Sequence, residues 1–270
     1  MSSSTLTDRI RLDYNAMLIY ISFNLDENNQ IQLRQYFHGL IPVDITAILE
    51  LLRALEYNKN ISWQDVNLLK EAMRVIRRLD LVKKLTEYEC KRDLMLLLDF
   101  YARRIVRLDS YCCTVPVKKV AGQLERLMEI ARDRINFKKI SLTADSTKEI
   151  RKVLLNFQEV IDCRELEFSW NEFTMLVVMA GEVIAVAYSN EEQLEESVLE
   201  LCSTAAEELC SRMVELGSWE EFSTQVKERY NLVYKTQSME STTNLSMQQE
   251  RVQIVQQLTD AIFFPLQTNL

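Results

Sequence analysis

Four glycines and three prolines are all the backbone punctuation in this chain of 270 residues. Sharp turns must therefore be few, because residues that accept a positive φ or fix a bend are nearly missing. Between them run long stretches rich in Leu, Glu, Arg and Lys, which lose little side-chain freedom in a helix. The expectation is an all-α protein. With 47% hydrophobic residues the chain can bury a substantial core, and its length suits one large domain or, better, two modest ones.

Charge and cysteine usage narrow the function classes. The net charge of -8 argues against nucleic acid as a partner, since a phosphate-backbone binder needs a clustered basic surface. Cys90, Cys112, Cys113, Cys163, Cys202 and Cys210 contain no CxxC pair. The single histidine, His38, is near none of them in sequence, so no metal site or redox motif is expected. They read as buried thiols of a reducing compartment, and the polar start "MSSSTLTDRIRLDYN" lacks the apolar stretch of a secretory signal. A cytoplasmic protein is expected.

Enzymatic chemistry finds no foothold. Gly39, Gly122, Gly181 and Gly217 are each isolated, whereas a phosphate-cradling loop needs glycines close together. A hydrolytic triad would have to be built around His38, which stands before a helix-ending Gly-x-x-Pro and reads as a surface or capping residue. The pairs Glu191/Glu192, Glu195/Glu196 and Glu207/Glu208 read as solvated helix faces rather than acid–base sites. Neither a catalytic site nor a cofactor is expected.

The first organised region, 13–90, repeats apolar residues at helical spacing in "AMLIYISFNL", "DITAILELLRAL" and "DVNLLKEAMRVIRRLDLVKKL". Ser62 followed by Asp65 reads as an N-cap pair. This pattern resembles a death effector domain, the six-helix module of initiator caspases, their inhibitory relatives and the Fas-associated adaptor. Arg78-Leu79-Asp80-Leu81 matches the family's RxDL motif. The resemblance implies a charge network in which the guanidinium holds carboxylates on both sides. Asn29 stands where the network's acid is expected, which leaves Asp80 to Arg78 unless Asp26 or Glu27 substitutes. Gln35-Tyr36 stands where the family carries an apolar patch on the second helix.

The second region, 91–233, centres on "FSWNEFTMLVVMAGEVIAVAY". Its apolar part, Phe173 to Tyr188, falls short of the roughly 20 residues that span a bilayer, so the central buried helix of a bundle is expected and Glu182 needs a partner or a wet edge. Ser146/Glu149 and Asn190/Gln193 are spaced as capping boxes. Ten glutamates against Arg212 alone between Glu191 and Glu221 make an acidic face that would repel anionic lipid.

This arrangement resembles the B-cell lymphoma two (Bcl) family of apoptosis regulators. Phe168 to Gly181, with Trp170 and Glu172 near its start, aligns on the first homology motif, and Gly217 to Phe222, with Trp219, aligns on the second. "VAGQLERLMEIARDRINF" falls at the third-motif helix, with Leu124 at its leucine and Glu129 at its aspartate; "RDLMLLLDFYARRIV" would be the first helix. Glu172 stands where the family has the arginine that holds a partner helix's aspartate, and would repel it. Read from the residues alone, Ser169 and Glu172 form a capping box, Ser218 and Glu221 repeat the spacing, and Trp170 and Trp219 are core anchors.

Residues 234–270 read as a polar linker followed by an amphipathic helix through Val252, Val255, Leu258 and Ile262, too short and polar for a transmembrane anchor and expected to fold back on the second domain. Together the resemblances imply a non-enzymatic regulator of apoptosis acting through protein–protein contact. Its partners would be death effector domain proteins or initiator caspases, and Bcl-family proteins or their third-motif helices. It would be cytoplasmic, with peripheral association at mitochondria. The alternatives are a membrane-permeabilising effector and a helical scaffold whose binding groove is retired.

Overall fold

The computed structural model describes residues 5–42, 45–108, 114–132, 168–189 and 195–238. Among the described residues every regular element is an α-helix, so the chain is all-α. In chain order these are α1 (Leu6–Phe23), α2 (Glu27–Tyr36), α3 (Ile48–Tyr57), α4 (Asn67–Val75), α5 (Leu79–Ile105), α6 (Val115–Arg132), α7 (Trp170–Ser189), α8 (Glu195–Leu216) and α9 (Trp219–Ser238). Contacts divide the chain into two compact units, which part in sequence between Arg92 and Asp93.

In the first unit, α1 opens with a capping box. The Thr5 hydroxyl oxygen accepts the Asp8 N–H at 3.2 Å, and the Asp8 carboxylate accepts the Thr5 N–H at 3.0 Å. Leu18 and Ile21 of α1, Leu33 of α2, Leu51 and Leu55 of α3, Leu69 of α4 and Leu81 of α5 share one buried cluster. Its helices dock in pairs, α1 on α3 and α2 on α4.

The scarcity of glycine is met at the helix ends by basic residues. Lys59, Arg77 and Arg107 adopt φ of 60°, 58° and 60°. The next residue's N–H then bonds back into the last turn, as Asn60 to Leu55, Arg78 to Met73 and Leu108 to Arg103, each at 2.9 Å. This is the left-handed helix termination that glycine ordinarily serves. A side chain there costs about 1 kcal/mol, partly offset because a cation beside the last carbonyls interacts favourably with the helix dipole.

Tyr14 carries a local cost inside this core. Its side chain is buried against the Tyr88 ring, with 5.8 Å between centroids, and its hydroxyl has no hydrogen-bond partner among the described residues. Burial first, and then the nearby Glu56 carboxylate, raise its pKa well above the ordinary tyrosine value. Tyr14→Phe removes a desolvated group and leaves the ring, so it should stabilise the unit by about 1 kcal/mol. Urea unfolding checks this, and a comparable loss of stability would mean that the hydroxyl has an acceptor.

Several helix limits differ from the sequence reading. Helix α1 begins at Leu6, ahead of Asp13. Ser62 and Asp65 do not cap α4: the Ser62 hydroxyl accepts the Asp65 N–H at 3.2 Å in a turn, and Asp65 Oδ1 accepts the Asn67 N–H at 3.0 Å. Helix α5 runs unbroken through Cys90, so "RDLMLLLDFYARRIV" is its second half rather than a separate helix. No glycine or proline interrupts that stretch. Helix α9 continues past Val233 to Ser238, into the expected linker.

In the second unit α8 lies along α7, and α9 contacts both α6 and α7. Helix α7 is longer than the apolar run Phe173 to Tyr188 suggested, spanning 20 residues. By length and composition its stretch Glu172–Ser189 could cross a membrane, but 78% of that window is buried inside the protein, as a core helix requires. Cys90, Cys202 and Cys210 are buried, as expected of thiols in a helical core. Cys112, Cys113, Cys163, the Ser146/Glu149 and Asn190/Gln193 spacings, the pair Glu191/Glu192 and the C-terminal amphipathic segment lie outside the described residues.

Candidate functional site

The first candidate site is built on Arg78. The left-handed turn at Arg77 ends α4 and delivers Arg78 to the start of α5, facing the N-terminus of α2. Its guanidinium forks onto Asp80, with Nε donating to Oδ1 at 2.9 Å and Nη2 to Oδ2 at 2.6 Å. Nη1 donates to Asn29 Oδ1 at 3.0 Å and to the Asn24 carbonyl. Asn29 is therefore a working member of the cluster, supplying a neutral acceptor where an acid was expected. It is buried, and its backbone N–H is held by the α2 cap, Asp26 Oδ1, at 2.7 Å. Asp26 adds its charge to the field at Arg78, after the larger contribution of Asp80.

The hydrogen bonds from Arg78 hold the Asp80 carboxyl below the usual carboxylate range. The pairing is thus present at neutral pH and fades only as pH falls through that lowered value. The Asp80 side chain remains 60% exposed, so the cluster presents a carboxylate fixed by a rigid fork. Gln35 and Tyr36 are exposed at the end of α2, with the Tyr36 ring edge-on to the buried Phe37 at 5.1 Å. His38 is exposed just beyond.

The second candidate site gathers the aligned motifs of the second unit. Glu172 closes the start of α7: its Oε2 accepts the Ser169 N–H at 3.1 Å and also the Ser169 hydroxyl. Ser218 does the same for α9 by accepting the Glu221 N–H at 3.3 Å. Arg229 of α9 lies in the field of Glu172; burial lowers its pKa and Glu172 opposes that shift. Trp170 and Trp219 are half-buried, and both pack on Phe222, with centroids at 5.9 Å and 5.7 Å. Phe222 is fully buried and meets Phe173 edge-on at 5.2 Å. The cluster's centre is thus Phe222, with the two tryptophans as its flanks. Gly217 has φ 149° and sits against the Glu221 carboxylate and the Trp170 ring. Leu124 is buried on α6, and Glu129 lies further along that helix.

Gly181 and Glu182 act on one neighbour. The Tyr101 ring from α5 lies over Gly181, so close that a Cβ there would stand 2.4 Å from its Cδ1. The same tyrosine's hydroxyl donates to Glu182 Oε1 at 2.8 Å. Tyr101 is therefore a partner of the kind that buried Glu182 requires. A further buried group joins α5, α7 and α8. Asp99 accepts from Arg103 Nε at 3.0 Å and from the Tyr188 hydroxyl, the Arg103 guanidinium lies 4.7 Å from the Tyr188 ring centroid, and Cys202 is buried beside them. Burial first, then Asp99, raises the Cys202 thiol pKa. The thiol stays protonated and unreactive.

Arg104 and Glu125 join α5 to α6 at 2.6 Å, and Arg126 donates to the Tyr230 hydroxyl at 2.7 Å, joining α6 to α9. Sequence reading missed Tyr101, Asp99, Arg103 and Arg229, which carry no motif; each is a polar group on an otherwise apolar helix face, and that alone could have marked it. Among the described residues no group of three or more His, Cys, Asp or Glu side chains could hold a metal ion. No family model, curated protein or solved structure matches the chain.

Proposed function

We propose that the chain is a non-enzymatic regulator of apoptosis, in which a death-effector-like first unit and a Bcl-like second unit each dock other proteins. The observation that carries this reading is the Arg78 cluster. A guanidinium held by Asp80, Asn29 and the Asn24 carbonyl fixes a planar charged surface at the place where RxDL stands in the death effector pattern. Such a surface offers geometry rather than reactivity, which suits recognition. The helical spacing of the first unit and the Trp170 to Phe222 motif order of the second support the two assignments. Death effector proteins or initiator caspases are the partners proposed for the first unit, and Bcl-family proteins or their third-motif helices for the second, in the cytoplasm and at the mitochondrial surface. The membrane-permeabilising alternative would require α7 to leave a bundle in which 78% of its apolar window is buried.

The test is binding of the full chain to a purified initiator-caspase death effector pair, with Arg78→Gln beside the wild type. Glutamine keeps some bulk and loses both the charge and the fork. Binding should weaken at least 10-fold, on the order of 1.4 kcal/mol, while helicity by circular dichroism is kept. Equal binding by both proteins would overturn the assignment of this surface.

A further inference from the structure

A guanidinium drawn out of water needs an acceptor, because burial penalises its charge and no accessible pH removes its proton. Two arginines of the second unit that are wholly or partly buried have one. Arg103 is paired with Asp99 at 3.0 Å and Arg212 with Glu215 at 3.7 Å. Arg229 is part-buried as well, and among the described residues it makes no hydrogen bond or ion pair. It follows Val226 by about one turn of α9 and Phe222 by about two, both of them fully buried, so it continues the face of α9 that packs inward.

The charges around it do not supply the acceptor. Glu172 at the start of α7 puts its field on Arg229, but its carboxylate is engaged by the Ser169 N–H and hydroxyl. On α9 itself Lys227 and Glu228 are exposed, and Glu228 accepts from the Gln225 amide at 3.4 Å. From α6, Arg126 donates to the hydroxyl of the next residue, Tyr230, while Glu125 is taken by Arg104. An incoming carboxylate fits the vacancy better than a phosphate. Its two oxygens match the guanidinium fork, and Glu172 would repel a dianion about twice as strongly as a single charge. Trp170 and Trp219, half-buried on Phe222, add apolar surface on the same pair of helices. Tryptophan and arginine together are what the centres of protein interfaces are rich in, so the carboxylate is carried by a peptide with an apolar face. We infer that Arg229 receives the carboxylate of a partner helix docked on the second unit, the part that Glu172 cannot play. This inference rests on the helix-docking role proposed for that unit and names the contact that gives it specificity.

Titration of a fluorescent third-motif helix into the full chain tests it, with the peptide's aspartate kept or replaced by asparagine and with Arg229→Gln beside the wild type. The wild type should prefer the aspartate peptide at least 10-fold, a comparison that leaves the protein unaltered. Arg229→Gln should bind the two peptides within about 2-fold of each other, Arg229→Lys should keep part of the preference, and circular dichroism of both variants should match the wild type. Equal binding of the two peptides by the wild type, or a preference that survives in Arg229→Gln, overturns the inference and leaves the docking role standing. Binding of neither peptide by the wild type overturns the docking role and the inference with it.

Discussion

Replacing Phe222 by alanine should destabilise the second unit by about 4 kcal/mol, within the range measured for large aromatic truncations in cores. Phe222 is fully buried and is the ring on which Trp170, Phe173 and Trp219 all converge. Truncation therefore loses the transfer free energy of the ring and two edge-on contacts worth about 1 kcal/mol each, and leaves a void that three large rings cannot fill without leaving their rotamers. Tryptophan fluorescence is suited to the measurement, because two of the three tryptophans, Trp170 and Trp219, lie in this cluster and Trp63 lies in the first unit. The urea midpoint reported by the cluster should fall by about 2 M for a slope near 2 kcal/mol/M. A fall under about 0.5 M would mean that the cluster does not hold α9 to α7.

Gly181→Ala opposes two effects of known size. Helix propensity alone favours alanine over glycine by about 1 kcal/mol, so an open helical site would become more stable. Here the added methyl would stand 2.4 Å from Tyr101 Cδ1 and 2.8 Å from Cε1. That ring is only 2% exposed and is tethered through its hydroxyl to Glu182 at 2.8 Å, so it has little room to move. Overpacking of this kind costs about 3 kcal/mol. The clash wins, and a net loss of about 2 kcal/mol is expected. The sign decides the matter: stabilisation would mean that Tyr101 does not press on Gly181. In a Tyr101→Leu background the ring is gone, and Gly181→Ala should become neutral or mildly stabilising, which a double-mutant cycle would read as strong coupling.

The all-α architecture was legible because so few residues could end a helix, and the apolar run around Gly181 announced a buried helix. The helix limits were less legible. Lys59, Arg77 and Arg107 end helices in the conformation that glycine usually marks, so the stop signal was missing at three places where the chain does turn. The uninterrupted α5 hid in the same way, since a boundary drawn at Cys90 followed motif resemblance and the backbone had no reason to break there. At the sites, local spacing was informative and distant pairing was not. Glu172 could be read as a cap from Ser169 three residues away, and the structure places its carboxylate on that N–H. The hold of Arg78 on Asn29 spans two helices and depends on a left-handed turn at Arg77, which sequence spacing does not encode. Tyr101 with Glu182, and Asp99 with Tyr188, are likewise pairings made only when α5 and α7 come together.

The proposed two-sided docking role is tested most directly by titrating fluorescent third-motif helices from Bcl-family proteins into the full chain, with Glu172→Arg alongside. Glu172 is occupied by the cap of its own helix and shares its field with Arg229, so its repulsion of a partner's aspartate is reduced. Wild-type binding with a Kd of about 1 μM or tighter, on the order of -8 kcal/mol, is the expected result. Absence of binding by the wild type would contradict that role for the second unit. If only Glu172→Arg binds, the groove exists but is retired; if neither binds, the Bcl-like reading itself falls.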